Sequence, residues 1–379
     1  MYLYQENERY FAQIADDIRD IGEAELTELG AREIVADYRG LHFSADKATL
    51  YRINYGARLI TRVLAPLVAF EVRNVKVLYA RARYIKWTDF LSTAQTFAVY
   101  SHVSDSQINH SQHAALSVKD AIADWFRKGF RMRPDVDNKN PDVWFNLYIR
   151  KDQAVISVDT SGGSLHRRGY RKAVLAAPMQ ETTAAAIIRL SGWDGSVPLY
   201  DPMCGSGTLL TEALMHYCHM PAGIFRKKFG FECMPDFDAG IWQTVKTESD
   251  AQIRELPEGL IGGSDLAAGA IAAAGVNLNN IRHGDRVALK VSDFRDIKNL
   301  ENSAVVVNPP YGIRIGADSD LKRFYGKFGD FLKQRAKGST AYIYFGDRAF
   351  IKNVGLKTSW KRPLKAGGLD GRLAKFELH

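Results

Sequence analysis

At 379 residues the chain is too long for one ordinary core, so two or three domains are expected. Hydrophobic residues at 46% and charged residues at 25% are those of a folded globular protein, and no apolar run reaches the ~20 residues that span a bilayer. A net charge of +8 invites an anionic partner. The N-terminus lacks a basic region followed by an apolar stretch, which argues against a signal peptide. Cys204, Cys218 and Cys233 include no CxxC pair, as expected of a reducing cytoplasm. His216, Cys218, His219 and Cys233 lack zinc-ligand spacing, so no metal is expected.

In chain order, YFAQIADDIRDIGEAELTELGA from Tyr10 reads as a helix leading to Gly30. REIVADYRGLHFSA follows as strand material and DKATLYRINYGARLI as a second helix, giving a small α+β unit over residues 1–65. In residues 66–164, TFAVYSHV reads as a strand and AALSVKDAIADWFRKGF as a helix closing on Gly129. A polar loop, RMRPDVDNKNPD, leads into the hairpin VWFNLYIRKDQAVISVDTSGGSL, with Lys151-Asp152-Gln153 near its turn. Residues 165–379 alternate strands and helices as a parallel α/β sheet does.

The charge is unevenly spread. Residues 1–38 hold ten acidic and three basic side chains. Residues 50–86 hold eight basic ones, Arg73, Lys76, Arg81, Arg83 and Lys86 among them, against Glu71 alone. LHRRGYRK adds His166, Arg167, Arg168 and Arg171 around Tyr170, and the tail from Ile351 is basic too. Separated basic clusters interleaved with aromatics point to nucleic acid.

The sharpest signals lie in the last segment. VPLYDPMCGSGTLLTEALMHYC is a strand, a glycine turn and an amphipathic helix whose free N–H groups face the turn. Gly205 and Gly207 permit a tight turn and close approach of a ligand to backbone. A Walker A loop would need a Lys that is absent, and the dinucleotide fingerprint a third Gly where Leu210 stands. What remains is the turn of S-adenosylmethionine-dependent methyltransferases: Asp201-Pro202-Met203-Cys204-Gly205-Ser206-Gly207-Thr208. LIGGSD ends a strand in Asp265, where a carboxylate can accept from a ribose diol. VALKVSDF ends another in Asp293-Phe294, able to accept from an adenine amine and to cover its ring. An Asp at such a position also caps the next helix. PAGIFRKKFGFECMPDFDAGIWQ looks like an insertion near this site.

VVVNPPYGIR is a buried strand stopped by two prolines that have no N–H for a sheet ladder. The Asn308 side-chain oxygen and the Pro309 backbone oxygen can accept both hydrogens of an exocyclic base amine. That localises its lone pair toward a methyl sulfonium, and Tyr311 can stack on the extruded base.

DPMCGSGT and NPPYG in this order, preceded by RRGYRKAVLAAPMQETTAAAIIRLSGW, resemble the THUMP-domain RNA guanine-N2 methyltransferases. The likeness is to the N-terminal methyltransferase half of the bifunctional bacterial 23S rRNA enzymes, and it covers nearly the whole chain. It implies a Rossmann-like methyltransferase domain over 165–379, a ferredoxin-like domain over 1–65 and a THUMP RNA-binding domain over 66–164. It further implies that Pro178 and Thr182 line the cofactor with Asp201 to Thr208, Asp265, Asp293 and Phe294, and that Asn308, Pro309 and Tyr311 form the target-amine motif. The second methyltransferase module of the bifunctional proteins is absent from this sequence. The expected activity is guanine-N2 methylation of RNA, 23S rRNA first and tRNA as the alternative. Asn-Pro-Pro-Tyr also serves DNA adenine and protein glutamine methyltransferases, and a non-catalytic RNA-binding factor on the same scaffold is the different-class rival.

Overall fold

The computed structural model describes residues 1–175, 178–310 and 318–379, and these divide into two units, each built on its own sheet. Met1–Arg19, Glu23–Leu165 and Arg226–Glu248 make the first; Asp20–Gly22, His166–Phe225 and Ser249–His379 make the second.

The first unit carries α1 (Leu3–Asn7), β1 (Arg9–Gln13), α2 (Arg19–Glu28), β2 (Arg32–Asp37), β3 (Gly40–Ser44) and α3 (Lys47–Gly56). There follow β4 (Arg62–Glu71), α4 (Val75–Ala82), β5 (Thr96–Ser104), α5 (Ser111–Phe130), β6 (Asp135–Val136), β7 (Val143–Arg150) and β8 (Gln153–Asp159). Among the described residues the strands form one sheet in the order β2-β3-β1-β4-β8-β7-β5-β6.

The helix expected from Tyr10 begins only at Arg19. Tyr10, Ala12 and Ile14 are buried at a period of two, and β1 pairs on one side with β3 and on the other with β4. Two ladders outweigh the local helical pattern. The boundary expected at residues 65/66 falls inside β4, so both N-terminal segments share a sheet. Pro66 sits where the β4–β8 register shifts, at an irregularity that tolerates a missing N–H. Asp46 caps α3 through the Thr49 amide at 2.8 Å. The β7–β8 hairpin turns on Lys151 and Asp152, both at positive φ, a type I′ conformation that matches strand twist. α5 ends past Gly129, with Arg131 in the left-handed region at φ 56°.

The second unit continues with α6 (Glu181–Ser191), β9 (Leu199–Asp201) and α7 (Thr208–Tyr217); the chain then passes through α8 (Ala239–Ala251), most of which belongs to the first unit, before β10 (Ile261–Asp265), α9 (Ala268–Leu278) and β11 (Ala288–Val291). It closes with β12 (Ala304–Val307), α10 (Asp318–Arg335), β13 (Thr340–Phe345), β14 (Trp360–Pro363) and β15 (Arg372–Glu377). The sheet order among the described residues is β11-β10-β9-β12-β13-β15-β14, with β9 to β13 parallel and β15 antiparallel to both neighbours. Val305, Val306 and Val307 are fully buried, as a central strand covered on both faces requires. The chain moves outward from β9 to β11 and returns to the other side of β9 as β12. Ligands in open α/β sheets bind outside the carboxyl ends at such a reversal.

Most of the segment read as an insertion packs within the first unit. Arg226–Glu248 belongs to the first unit, where the Phe231 ring stacks 4.3 Å from Tyr51 and Trp242 meets Tyr55 edge-on at 5.2 Å. Its aromatic side chains need an apolar bed, and α3 supplies it. No helix among the described residues is long and apolar enough to cross a membrane.

Candidate active site

Four parallel strands end at one cavity of about 1090 Å³. Asp201 closes β9, Asp265 closes β10, Asp293 follows β11 and Asn308 follows β12. Of the residues expected from the sequence, Pro178, Asp201 to Ser206, Thr208, Asp265, Asp293, Phe294, Asn308 and Pro309 line the cavity. Thr182 is buried in α6 and Gly207 stands off the cavity wall. Tyr311 lies outside the described residues.

The two turn glycines do different work. A methyl group added at Gly205 (φ +55°) would meet nothing within 4 Å, so the backbone there is open to a ligand. At Gly207 (φ +79°) it would touch the Ala274 Cβ at 3.1 Å. Gly207 therefore lets α7 and α9 close against each other rather than making room for a ligand.

Asp265 fixes the turn: Oδ2 accepts from the Gly205 amide at 3.0 Å and Oδ1 from the Ala267 amide at 2.9 Å. Each carboxylate oxygen keeps a second lone pair for a ribose hydroxyl. Asp201 is buried and accepts from the Met203 amide at 3.0 Å. Burial, reinforced by the Asp265 charge, raises its pKa to about 8 despite that amide. Asp293 is clasped by its near neighbour. Arg295 donates Nε to Oδ1 at 2.9 Å and Nη2 to Oδ2 at 2.6 Å, which holds the carboxyl below its usual range. Phe294 is seated edge-on among Phe324, Phe328 and Phe331 at 5.3–5.8 Å. The Asn308 Oδ1 is buried and accepts no hydrogen bond among the described residues. Such an acceptor normally has a donor, and none of the described residues supplies one.

Sequence reasoning missed the wall formed by α10. Asp320, Arg323, Phe324 and Lys327 line the cavity at i, i+3, i+4 and i+7, a helical stripe that periodicity could have revealed. Leu369 also lines it, and nothing in its sequence context marks it.

Residues 168–375 match the RMKL-like methyltransferase domain, residues 72–159 the THUMP domain and residues 9–64 the RlmL ferredoxin-like domain. The chain belongs to the RMKL-like methyltransferase family. A Synechocystis sp. protein named provisionally as an RNA methyltransferase, slr0064, is 39% identical over 98% of this chain and 97% of its own. The ribosomal RNA large subunit methyltransferase K/L of Photobacterium profundum is 35% identical over 96% of this chain. The alignment takes in 52% of that relative, so the chain spans about half its length. The crystal structure of SMU.472, provisionally named a methyltransferase and complexed with SAH, superposes with a TM-score of 0.85 at 28% identity over 98% of both chains. S-adenosylmethionine is the cofactor of this RMKL-like methyltransferase. The cavity suits it: an open backbone at Gly205, carboxylates at successive strand ends and apolar walls from Pro178, Leu209 and Phe294.

Inside the RMKL-like domain, the basic run at 165–172 is not the RNA-facing cluster its charges suggested. Arg168 and Tyr170 are 1% exposed; Arg168 Nε lies 3.4 Å from Glu212 Oε1, and the Tyr170 hydroxyl donates to the same oxygen at 3.1 Å. Arg171 pairs with Glu181 at 3.2 Å and donates to the Met179 carbonyl at 2.8 Å. Buried cations require acids, and α6 and α7 provide them. Through Met179, which lines the cavity, Arg171 ties this run to the cavity wall, while Arg167 stays exposed and His166 half-buried. On α4 and just beyond it, Arg73, Lys76, Arg81 and Lys86 are exposed and Arg83 is half-buried. Arg73 pairs with Glu71 and Lys86 with Asp89, both at 2.7 Å.

Proposed function

We propose that the protein methylates RNA, moving the methyl group of S-adenosylmethionine to the exocyclic N2 of a guanine in 23S rRNA, in the cytoplasm. The buried Asn308 oxygen at the end of β12, which has no donor among the described residues, carries the reading. A base amine has two hydrogens and a lone pair delocalised into its ring. Asn308 Oδ1 and the Pro309 carbonyl accept those hydrogens, so the lone pair localises on nitrogen and points into the cavity. Pro309 has a fixed φ, which steadies the direction of that carbonyl. When bound, the cofactor supplies a methyl on a sulfonium. The N–C bond forms as the C–S bond breaks, the thioether leaves, and the surplus proton on nitrogen passes to water. Positioning does the catalysis, with no strong base required. Tyr311 is assigned the stacking role from the sequence alone. THUMP and ferredoxin-like matches support RNA as the substrate class, and the names of the K/L relatives support the large-subunit rRNA.

Asn308→Ala should lower kcat by about a hundredfold or more while leaving the KM for RNA and the cofactor affinity nearly unchanged, because the missing bond is one that tightens in the transition state. Asn308→Asp, which retains an acceptor, should fall less. Mass spectrometry of nucleosides from RNA treated with the protein should show N2-methylguanine. N6-methyladenine instead would reject the acceptor and keep the amine chemistry; an Asn308→Ala protein as fast as the wild type would overturn both.

A further inference from the structure

We propose that the C-terminal ends of α4 and α5 form one surface that takes an unpaired stretch of RNA, stacking bases on Tyr84 and Phe130 while nearby cations hold its phosphates. The two helices lie side by side and run in the same direction. Ser117 Oγ donates to the Val75 carbonyl at 3.1 Å, and further along both helices the Tyr79 hydroxyl donates to Asp124 at 2.8 Å. One more turn on each brings Arg83 alongside Arg127 and Lys128. The Arg83 guanidinium already lies 5.8 Å from the Tyr79 ring centre, and Arg127 holds the same Asp124 at 3.0 Å. α5 then stops at Phe130, and the left-handed Arg131 turns the chain into Met132 and Arg133.

Two features point to unpaired RNA. Tyr84 is 86% exposed, Phe130 51% and Met132 61%, large apolar side chains left in water at the ends of two paired helices. Phe130 is nevertheless backed by the rings of Phe126 at 5.9 Å and Trp125 at 6.3 Å, which makes it a braced platform. Base faces are free to stack on such rings only in single strands. Around them Arg81, Arg83, Lys128, Arg131 and Arg133 have no acidic partner within 4.0 Å among the described residues, and Asp124 is already engaged. Cations without acids suit a phosphate backbone; an apolar protein partner would leave them desolvated and unpaired.

The inference rests on RNA being the substrate, and it is read by binding, so a different methylated base would leave it standing. Full-length protein is titrated, by fluorescence anisotropy, against a labelled unpaired RNA oligonucleotide and against the duplex of equal length. The unpaired strand should bind more tightly. Tyr84→Ser combined with Phe130→Ser should weaken that binding by roughly tenfold or more without changing its salt slope, and Phe130→Tyr should retain it. Lys128→Ala, Arg131→Ala and Arg133→Ala together should flatten the slope by about 0.7 for each phosphate no longer neutralised. Circular dichroism and affinity for S-adenosylhomocysteine should match the wild type in every variant. Equal binding of strand and duplex, or serine variants that bind like the wild type, would overturn the proposal. So would an oligomer, seen by light scattering, that dissociates on Phe130→Ser, since it would assign the surface to a second copy of the chain.

Discussion

Arg81-Ala82-Arg83-Tyr84 and Arg167-Arg168-Gly169-Tyr170 are nearly the same text, two arginines and a tyrosine within four residues, yet they fold to opposite ends. Tyr84 is 86% exposed and Tyr170 1%. The first group lies at the end of α4, and its arginines have no acid within 4.0 Å among the described residues. The second is drawn inward by Glu212, which stands 44 positions further along the chain from Arg168. A basic run therefore reports that cations are present; whether they face solvent depends on acids that only the fold brings near.

The contrast is sharpest at Arg168. Removing one member of a fully buried ion pair leaves the other charge stranded, so Arg168→Ala should cost about 3–5 kcal/mol of unfolding free energy and take cofactor binding with it. Chemical denaturation with and without S-adenosylhomocysteine reads both. A loss below about 0.5 kcal/mol, the range of ordinary surface substitutions, would place Arg168 with the surface group after all.

Asp201 tests the same idea from the acid side, since it is buried and no cation pairs with it among the described residues. Its pKa is about 8 in the folded protein, against 3.8 when unfolded. Between those values the folded state keeps a proton that the unfolded state has released. Stability should therefore decline as pH rises from about 4 to 8 and level off above. Asp201→Asn should remove that slope and be the more stable protein at pH 9, by on the order of 2 kcal/mol. Melting temperatures across the range decide it, and a wild-type protein that gains stability with rising pH through this window while the Asn variant does not would mean Asp201 is ionised in the fold.

The smallest expected effect on stability belongs to the exposed group. Reversing Arg81, Arg83 and Lys86 to Glu should shift unfolding by no more than about 0.5 kcal/mol per site. The same protein should lose most of its affinity for RNA and flatten its salt dependence while holding the cofactor as before. Unchanged RNA binding would move the nucleic-acid surface elsewhere.

The strand ends around the cavity were legible because their chemistry is local. A carboxylate closing an apolar run, a glycine turn before a helix and a proline stop after three valines each declare a place in an α/β sheet. β1 was not legible: Tyr10 and Ala12 sit in a stretch that also satisfies helical spacing, and only pairing with β3 and β4 decides between them. Pro66 reads as a border, and it is also an irregularity within β4, so the strand runs on through it. The division of labour between Gly205 and Gly207 depends on where Ala274 lies, which no motif states. Nor could the stretch around Phe231 and Trp242 announce that it packs on Tyr51 and Tyr55, some 180 residues before it.

That last packing governs the order in which the protein can be made. The first unit draws on Arg226–Glu248 as well as on the chain up to Leu165, so during synthesis it stays incomplete until residue 248 has left the ribosome. By then β9 and α7 of the second unit have already emerged. A product truncated at Leu165 would keep its sheet but expose the Tyr51 and Tyr55 rings, a bare aromatic face inviting aggregation and proteolysis. The two halves are thus interleaved in time, and neither can be cut out of the gene as a simple block.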